Sequence, residues 1–194
     1  EAIAMFEKAL RLNPDPPAWM TGNLAIARVG AGQPEKAITT MREVLNRGPD
    51  NAEVCYYLSF ILTCEGKYEE ALSMARKAVS LKEMGLIPNP ARAPIALFYL
   101  FSGASYHMAG KYEVAITAFK KAINLWPDFV NAHILLAASY TMAGHMEEAR
   151  AKAAEVLRMN PKITLENVAK NGYFNYKRAD KERFINTLRK AGLK

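Results

Sequence analysis

One short segment recurs four times along this chain, and that recurrence limits the fold more than any other feature. Gly32-Gln33-Pro34-Glu35-Lys36-Ala37-Ile38 is followed by GKYEEAL at 66–72, GKYEVAI at 110–116 and GHMEEAR at 144–150. The glycines that open these segments lie 34, 44 and 34 residues apart. Proline turns follow most of them, at Asn13-Pro14, Gly48-Pro49, Trp126-Pro127 and Asn160-Pro161, and the last interval is again 34. A period of this length marks a supersecondary unit that cannot bury its apolar face alone and must stack on its neighbours. The apolar residues between the glycines fall at helical spacing, which predicts an all-α chain of antiparallel helix pairs.

The pattern resembles the tetratricopeptide repeat (TPR), a helix–turn–helix unit. In the third copy Tyr99, Gly103 and Tyr106 follow the large–small–large pattern of the first helix, and Ala115, Phe119, Ala122 and Pro127 complete it on the second. Leu58, Leu62, Ala71 and Ala78 match in the second copy; Leu136, Ala137, Tyr140 and Ala149 in the fourth; Leu24, Ala25, Ala37 and Pro49 in the first. Small residues let helices approach and large ones fill the holes beside them. The resemblance implies a right-handed superhelical solenoid. Repeats are expected at about 18–51, 52–83, 96–129 and 130–161, with 1–14, carrying Ala2, Phe6, Ala9 and Pro14, as the second helix of a preceding repeat. The chain opens Glu1-Ala2-Ile3 inside this pattern, which reads as a piece of a longer protein.

Two departures stand out. The second copy ends at Lys82-Glu83 without proline, and 84–95, with Pro88, Pro90 and Pro94, is expected to be an inserted loop. It is either a tolerated surface insertion or a loop bordering a binding surface. After Pro161 the repeat fades into a segment at 162–194. There Thr164 caps a short helix, and a last helix places Phe184, Ile185, Leu188 and Ala191 on one face before Gly192. A repeat array must hide its terminal apolar face, so this segment is expected to be a capping helix over the last repeat.

The formal charge of +7 suggests nucleic acid until it is divided along the chain. The segment 162–194 holds nine Lys/Arg against three Asp/Glu, and the rest is nearly balanced. Nucleic-acid binding is therefore conceivable only through the tail, where Tyr173, Phe174 and Tyr176 lie near Lys177-Arg178, and it is not the expected role. Nothing approaches a membrane span, and a cytoplasmic location is expected. Cys55 and Cys64 sit nine residues apart in one helix, about 13 Å of rise. That is too far for a disulfide, so they are expected to be small buried thiols suited to a reducing compartment.

The residues of an enzyme are not assembled anywhere in the sequence. Gly30-Ala31-Gly32 lacks both the third glycine and the strand of a dinucleotide fingerprint, and it sits at a helix-pair turn. His107, His133 and His145 fall in different repeats without ligand spacing, so structural histidines and no metal are expected. Glu69-Glu70 and Glu147-Glu148 recur in first turns of second helices, where they complement the helix dipole. Neither catalytic residues nor a cofactor are expected.

In the solenoid implied by the resemblance, the first helix of each pair lines the concave groove. The residues expected there are Trp19, Asn23 and Ile26; Tyr56, Tyr57 and Phe60; Leu97, Leu100, Phe101 and His107; and Asn131, Ile134, Leu135, Ala138 and Met142. Chaperone-binding TPR proteins clamp a carboxylate with Lys, Asn and Arg on these helices. Only Asn23 and Asn131 remain of that set, so no carboxylate clamp is expected. An apolar, aromatic strip suits a protein, a peptide, a helix or another copy of the chain. The ending Asn160-Pro161, the helix after Thr164 and Leu188-Arg189-Lys190-Ala191-Gly192-Leu193 also resemble the C-terminal TPR region of bacterial class III adenylate/guanylate cyclases. That second resemblance implies a bacterial regulatory or self-association domain as the alternative role.

Overall fold

The computed structural model describes residues 2–13, 16–85, 92–171, 174 and 176–194, and only the backbone of 92–94. The described residues are 80% helical and form eleven helices and no strand. It divides into two compact units, Glu1–Pro88 and Asn89–Lys194. Unit 1 holds α1 (Ala2–Leu12) and two helix pairs, α2 (Ala18–Gly30) with α3 (Pro34–Arg47) and α4 (Ala52–Cys64) with α5 (Tyr68–Glu83). Unit 2 holds α6 (Arg92–Met108) with α7 (Tyr112–Leu125), α8 (Val130–Ala143) with α9 (Met146–Met159), then α10 (Leu165–Lys170) and α11 (Arg178–Ala191).

The recurring glycines are the turns inside these pairs. Gly32, Gly66, Gly110 and Gly144 have φ of 73°, 70°, 76° and 86°, the left-handed region that a side chain disfavours. The next amide reaches back to close the end of the first helix in each pair. Gln33 N donates to Arg28 O at 2.8 Å, Lys67 N to Leu62 O at 2.9 Å, Lys111 N to Tyr106 O at 2.8 Å and His145 N to Tyr140 O at 2.9 Å. This is the Schellman arrangement, which satisfies an otherwise orphaned carbonyl and reverses the chain in two residues. Four equivalent turns explain why the signature returns with the same glycine.

Packing within each unit follows the expected size pattern. Ala25, Ala37, Ala71, Ala75 and Ala78 are fully buried in unit 1, as are Ala115, Ala122, Ala132, Ala137 and Ala149 in unit 2. Every residue of α4 except Glu53 is buried, which a helix apolar on all sides requires. Its hydroxyls are satisfied within the helix, Ser59 Oγ donating to Tyr56 O at 2.8 Å and Thr63 Oγ1 to Ser59 O at 2.7 Å. Cys55 and Cys64 are buried and not in a disulfide, and burial pushes Cys55 up to about 11. None of the residues of α1 is fully buried.

Part of the expected inserted loop is helical. Residues 86–91 lie outside the described residues, but α6 begins at Arg92, inside the stretch 84–95. Pro94 does not prevent this, because first-turn residues need no intrahelical N–H. Thr164 caps α10 through its Oγ1, which accepts from Asn167 N at 3.1 Å, and Gly192 ends α11 with φ 106°.

Two glycines mark the closest helix approaches. A Cβ on Gly22 would lie 2.4 Å from the Tyr57 ring, and one on Gly103 would lie 2.6 Å from the Phe119 ring. Gly103→Ala must therefore displace a fully buried ring. It is expected to destabilise the protein by about 1–3 kcal/mol despite alanine's better helix propensity. Urea unfolding followed by circular dichroism tests this, and unchanged or raised stability would show the contact to be soft.

Candidate functional site

The first helices of the pairs, α2 and α4 in unit 1 and α6 and α8 in unit 2, carry the expected groove residues. On α2, Trp19 is 46% exposed, and Asn23 and Ile26 are half-buried beside it at helical spacing. This is the open part of the strip. On α4, Tyr56, Tyr57 and Phe60 are 3%, 2% and 1% exposed. The expectation of a bare aromatic strip fails here. Gly22 provides no side chain, so the Tyr57 ring lies directly on the α2 backbone, and the Tyr56 ring lies tilted against it at 4.6 Å between centroids. Tyr56 also donates to Glu53 Oε1 at 3.3 Å, and burial raises both groups above their ordinary pKa.

In unit 2, Leu97 and Asn131 are half-buried and Met142 is 36% exposed. Leu100, Phe101, His107, Ile134, Leu135 and Ala138 are buried. The C-terminal segment contributes to this burial. α11 packs mainly on α8 and less on α9, and it reaches the end of α6. Phe184 meets the His107 ring edge-on at 6.1 Å, and Thr187 Oγ1 lies 3.5 Å from Met142 Sδ. Phe184, Thr187, Leu188 and Ala191 are buried, while Ile185, expected among them, is only half-buried. The capping helix thus lies across residues predicted to line the groove. An opening of about 220 Å³ is lined by Asn131, Asn160, Asn167 and Asn171 together with Ile134 and Val168. Three of those asparagines fall after the fourth repeat's helices or at their end, where the 34-residue pattern provides no guide.

The three histidines are placed by structural bonds. His107 Nδ1 pairs with Ser139 Oγ at 2.8 Å, His133 Nε2 with Pro127 O at 2.7 Å, and His145 Nε2 with Glu113 Oε1 at 2.9 Å. Among the described residues no three His, Cys, Asp or Glu side chains gather to hold a metal, and no helix is long and apolar enough to cross a membrane. The carboxylate-bearing first turns contain Glu69 and Glu70 on α5 and Glu147 and Glu148 on α9, as the dipole argument expects.

Known families and structures share this architecture. A tetratricopeptide repeat model matches residues 1–59 and a TPR repeat model matches 103–144. The chain carries tetratricopeptide repeats and folds as an all-α TPR solenoid. A thermophilic TPR protein of Thermus thermophilus, TTC0263, is similar at 24% identity, covering 96% of this chain and 88% of that one, with a TM-score of 0.64. MamA from Desulfovibrio magneticus RS-1 is similar at 18% identity over 90% of this chain and 96% of its own, with a TM-score of 0.58. Within the APC/C hetero-tetramer Cut9-Hcn1, a chain is similar at 15% identity, covering 98% of this chain and 32% of that one, with a TM-score of 0.71. None of the curated proteins matches the chain in sequence.

Two outcomes follow from the burial. Phe101→Ala and Tyr57→Ala remove core rings, so each is expected to lower unfolding free energy by about 3–5 kcal/mol. Denaturant unfolding checks this, and a change below about 1 kcal/mol would return these residues to the surface. His107 is held near pKa 4 by burial, with the charge of Arg183 adding to the effect. The unfolded chain binds that proton near pH 6.5, so the folded state holds fewer protons between pH 6.5 and 4, and stability falls as pH drops through that window. The loss from this group should reach about 3 kcal/mol at pH 4. His107→Gln should flatten that part of the profile, and imidazole protonation above pH 5.5 by NMR would contradict it.

Proposed function

We propose that the protein is an interaction scaffold that binds a peptide or helix of a partner on the α2 face of unit 1. The observation carrying this reading is Trp19, a large aromatic left 46% exposed on a first helix, one and two turns from half-buried Asn23 and Ile26. Large aromatics at the centre of an apolar patch, with a neighbouring amide to fix orientation, are the usual anchors of protein recognition. The buried Tyr56, Tyr57 and Phe60 hold α2 in place and do not touch the partner. The TPR fold supports a binding role over a catalytic one.

A second reading, control of a nucleotide cyclase on a longer chain, is supported only by the resemblance of the residues after Asn160. A cyclase domain preceding this sequence in its parent gene would be the test. Nucleic-acid binding through the tail is not adopted, since the apolar face of α11 is committed to packing on α8.

Peptides selected by display on the full chain, re-measured by fluorescence anisotropy, test the leading reading. Trp19→Ala should weaken them by roughly thirtyfold, about 2 kcal/mol, with circular dichroism unchanged. Lys77→Glu, on the outer helix α5, should cost less than about twofold. The reverse ranking would remove α2 from the binding face.

A further inference from the structure

We propose that unit 1 carries an oxyanion site for a phosphate group at the start of α2, formed by Thr21, Arg47 and Asn51. The inference goes beyond the Trp19 site and shares no residue with it.

An opening of about 250 Å³ lies between the start of α2, the end of α3 and the cap of α4. Thr21 on α2, Arg47 in the last turn of α3 and Asn51 before α4 line it, together with the apolar Ala18 and Val44. The lining holds one cation and no carboxylate. α2 has no acidic residue in its first turn, and Pro17, its N-cap, makes no side-chain bond to the helix. The first amides of α2 therefore keep their partial positive charge, which favours an anion. Every helix has such a start, and Thr21 is what distinguishes this one. Thr21 is 4% exposed, yet its hydroxyl has no bonding partner among the described residues. A buried polar group is costly to leave unbonded, and native folds leave few of them.

The repeat frame does not ask for these residues. Carried through the register, the Arg47 position becomes Leu81, Leu125 and Met159, and the Thr21 position becomes Cys55, Tyr99 and His133. An apolar residue thus serves the frame near the end of each later second helix, and the guanidinium is an addition of the first pair. Arg47 has no ionic or hydrogen-bonding partner among the described residues. Asn51 Oδ1 accepts from Val54 N at 3.0 Å, which leaves the amide nitrogen of the side chain as a donor. Guanidinium, hydroxyl and amide thus come from three separate elements, and all three can donate. The three terminal oxygens of a phosphate monoester match three such donors, whereas a carboxylate brings two. Gly48 keeps the mouth wide, since a Cβ there would meet nothing within 4 Å. The volume is several times the ~30 Å³ share of one water, so the atoms beside the ester oxygen also have room.

The test is a titration of the full chain with inorganic phosphate, followed by amide NMR at an ionic strength held constant with chloride. The amides of Ala18, Trp19 and Asn51 should shift and saturate with a dissociation constant on the order of millimolar. Arg47→Gln should weaken binding at least about tenfold, and Thr21→Val about threefold or more. In phosphate-free buffer Thr21→Val should unfold at the same urea concentration as the wild type or a higher one, because the hydroxyl it removes holds no bond. A less stable Thr21→Val would overturn the proposal, since the hydroxyl would then serve the fold. Shifts that fail to saturate, or that persist unchanged in Arg47→Gln, would do the same, as would acetate binding as tightly as phosphate. N-acetylphosphoserine amide and glycerol phosphate separate the two sources of such a group, a phosphorylated chain and a small phosphate ester. Either one binding at least as tightly as inorganic phosphate supports the site, and rejection of both would refute it.

Discussion

A helix pair of this size has no interior of its own, and everything else in the molecule follows from how closely one pair can approach the next. That distance is set where a side chain is missing. Between pairs, Gly22 lets the Tyr57 ring of α4 rest on the α2 backbone, and within a pair Gly103 on α6 does the same for Phe119 on α7. Fully buried alanines mark the remaining crossings, and large side chains such as Phe60 and Phe119 are buried as completely. Close approach also removes surface: the tighter α4 sits against α2, the less of its inner face is left to touch anything else.

This constraint explains which parts of the structure could be read from the sequence. Helix pairs, turns and the TPR character depend on local chemistry repeated at a fixed interval, and a left-handed glycine has the same meaning each time it appears. Exposure is different. Asn23 and Tyr57 are equivalent in the 34-residue register, yet one is half-buried and the other is closed over. Nothing in the register distinguishes them, because the difference lies in the neighbour: a glycine on α2 accepts the ring. Gly22 was the available signal, and it gains meaning only when paired with a residue 35 positions away. The spacing of Phe184, Leu188 and Ala191 likewise showed that α11 has an apolar face, but not that this face would settle across α8 toward His107. That choice depends on the reach of a segment outside the repeat.

The relatives illustrate the same separation. Chains with only 15–24% identity share the architecture, because the fold asks for small and large residues at a few positions and leaves the others free. Exposure varies among the positions left free: Trp19 is 46% exposed, and four asparagines line the 220 Å³ opening. Charge is apportioned in the same manner. Residues 89–194 hold sixteen Lys/Arg against eight Asp/Glu, while the preceding 88 residues are almost neutral, so any electrostatic steering originates in one unit.

Both cysteines lie on α4, the helix buried on nearly every side, and unit 2 has none. Thiolate is the reactive form, and a buried thiol held near pKa 11 offers almost none of it at neutral pH. A thiol-directed label can therefore attach only while α4 is unpacked from its neighbours. Its rate of incorporation is a natural clock for the breathing of the first two helix pairs, and it requires no engineered probe.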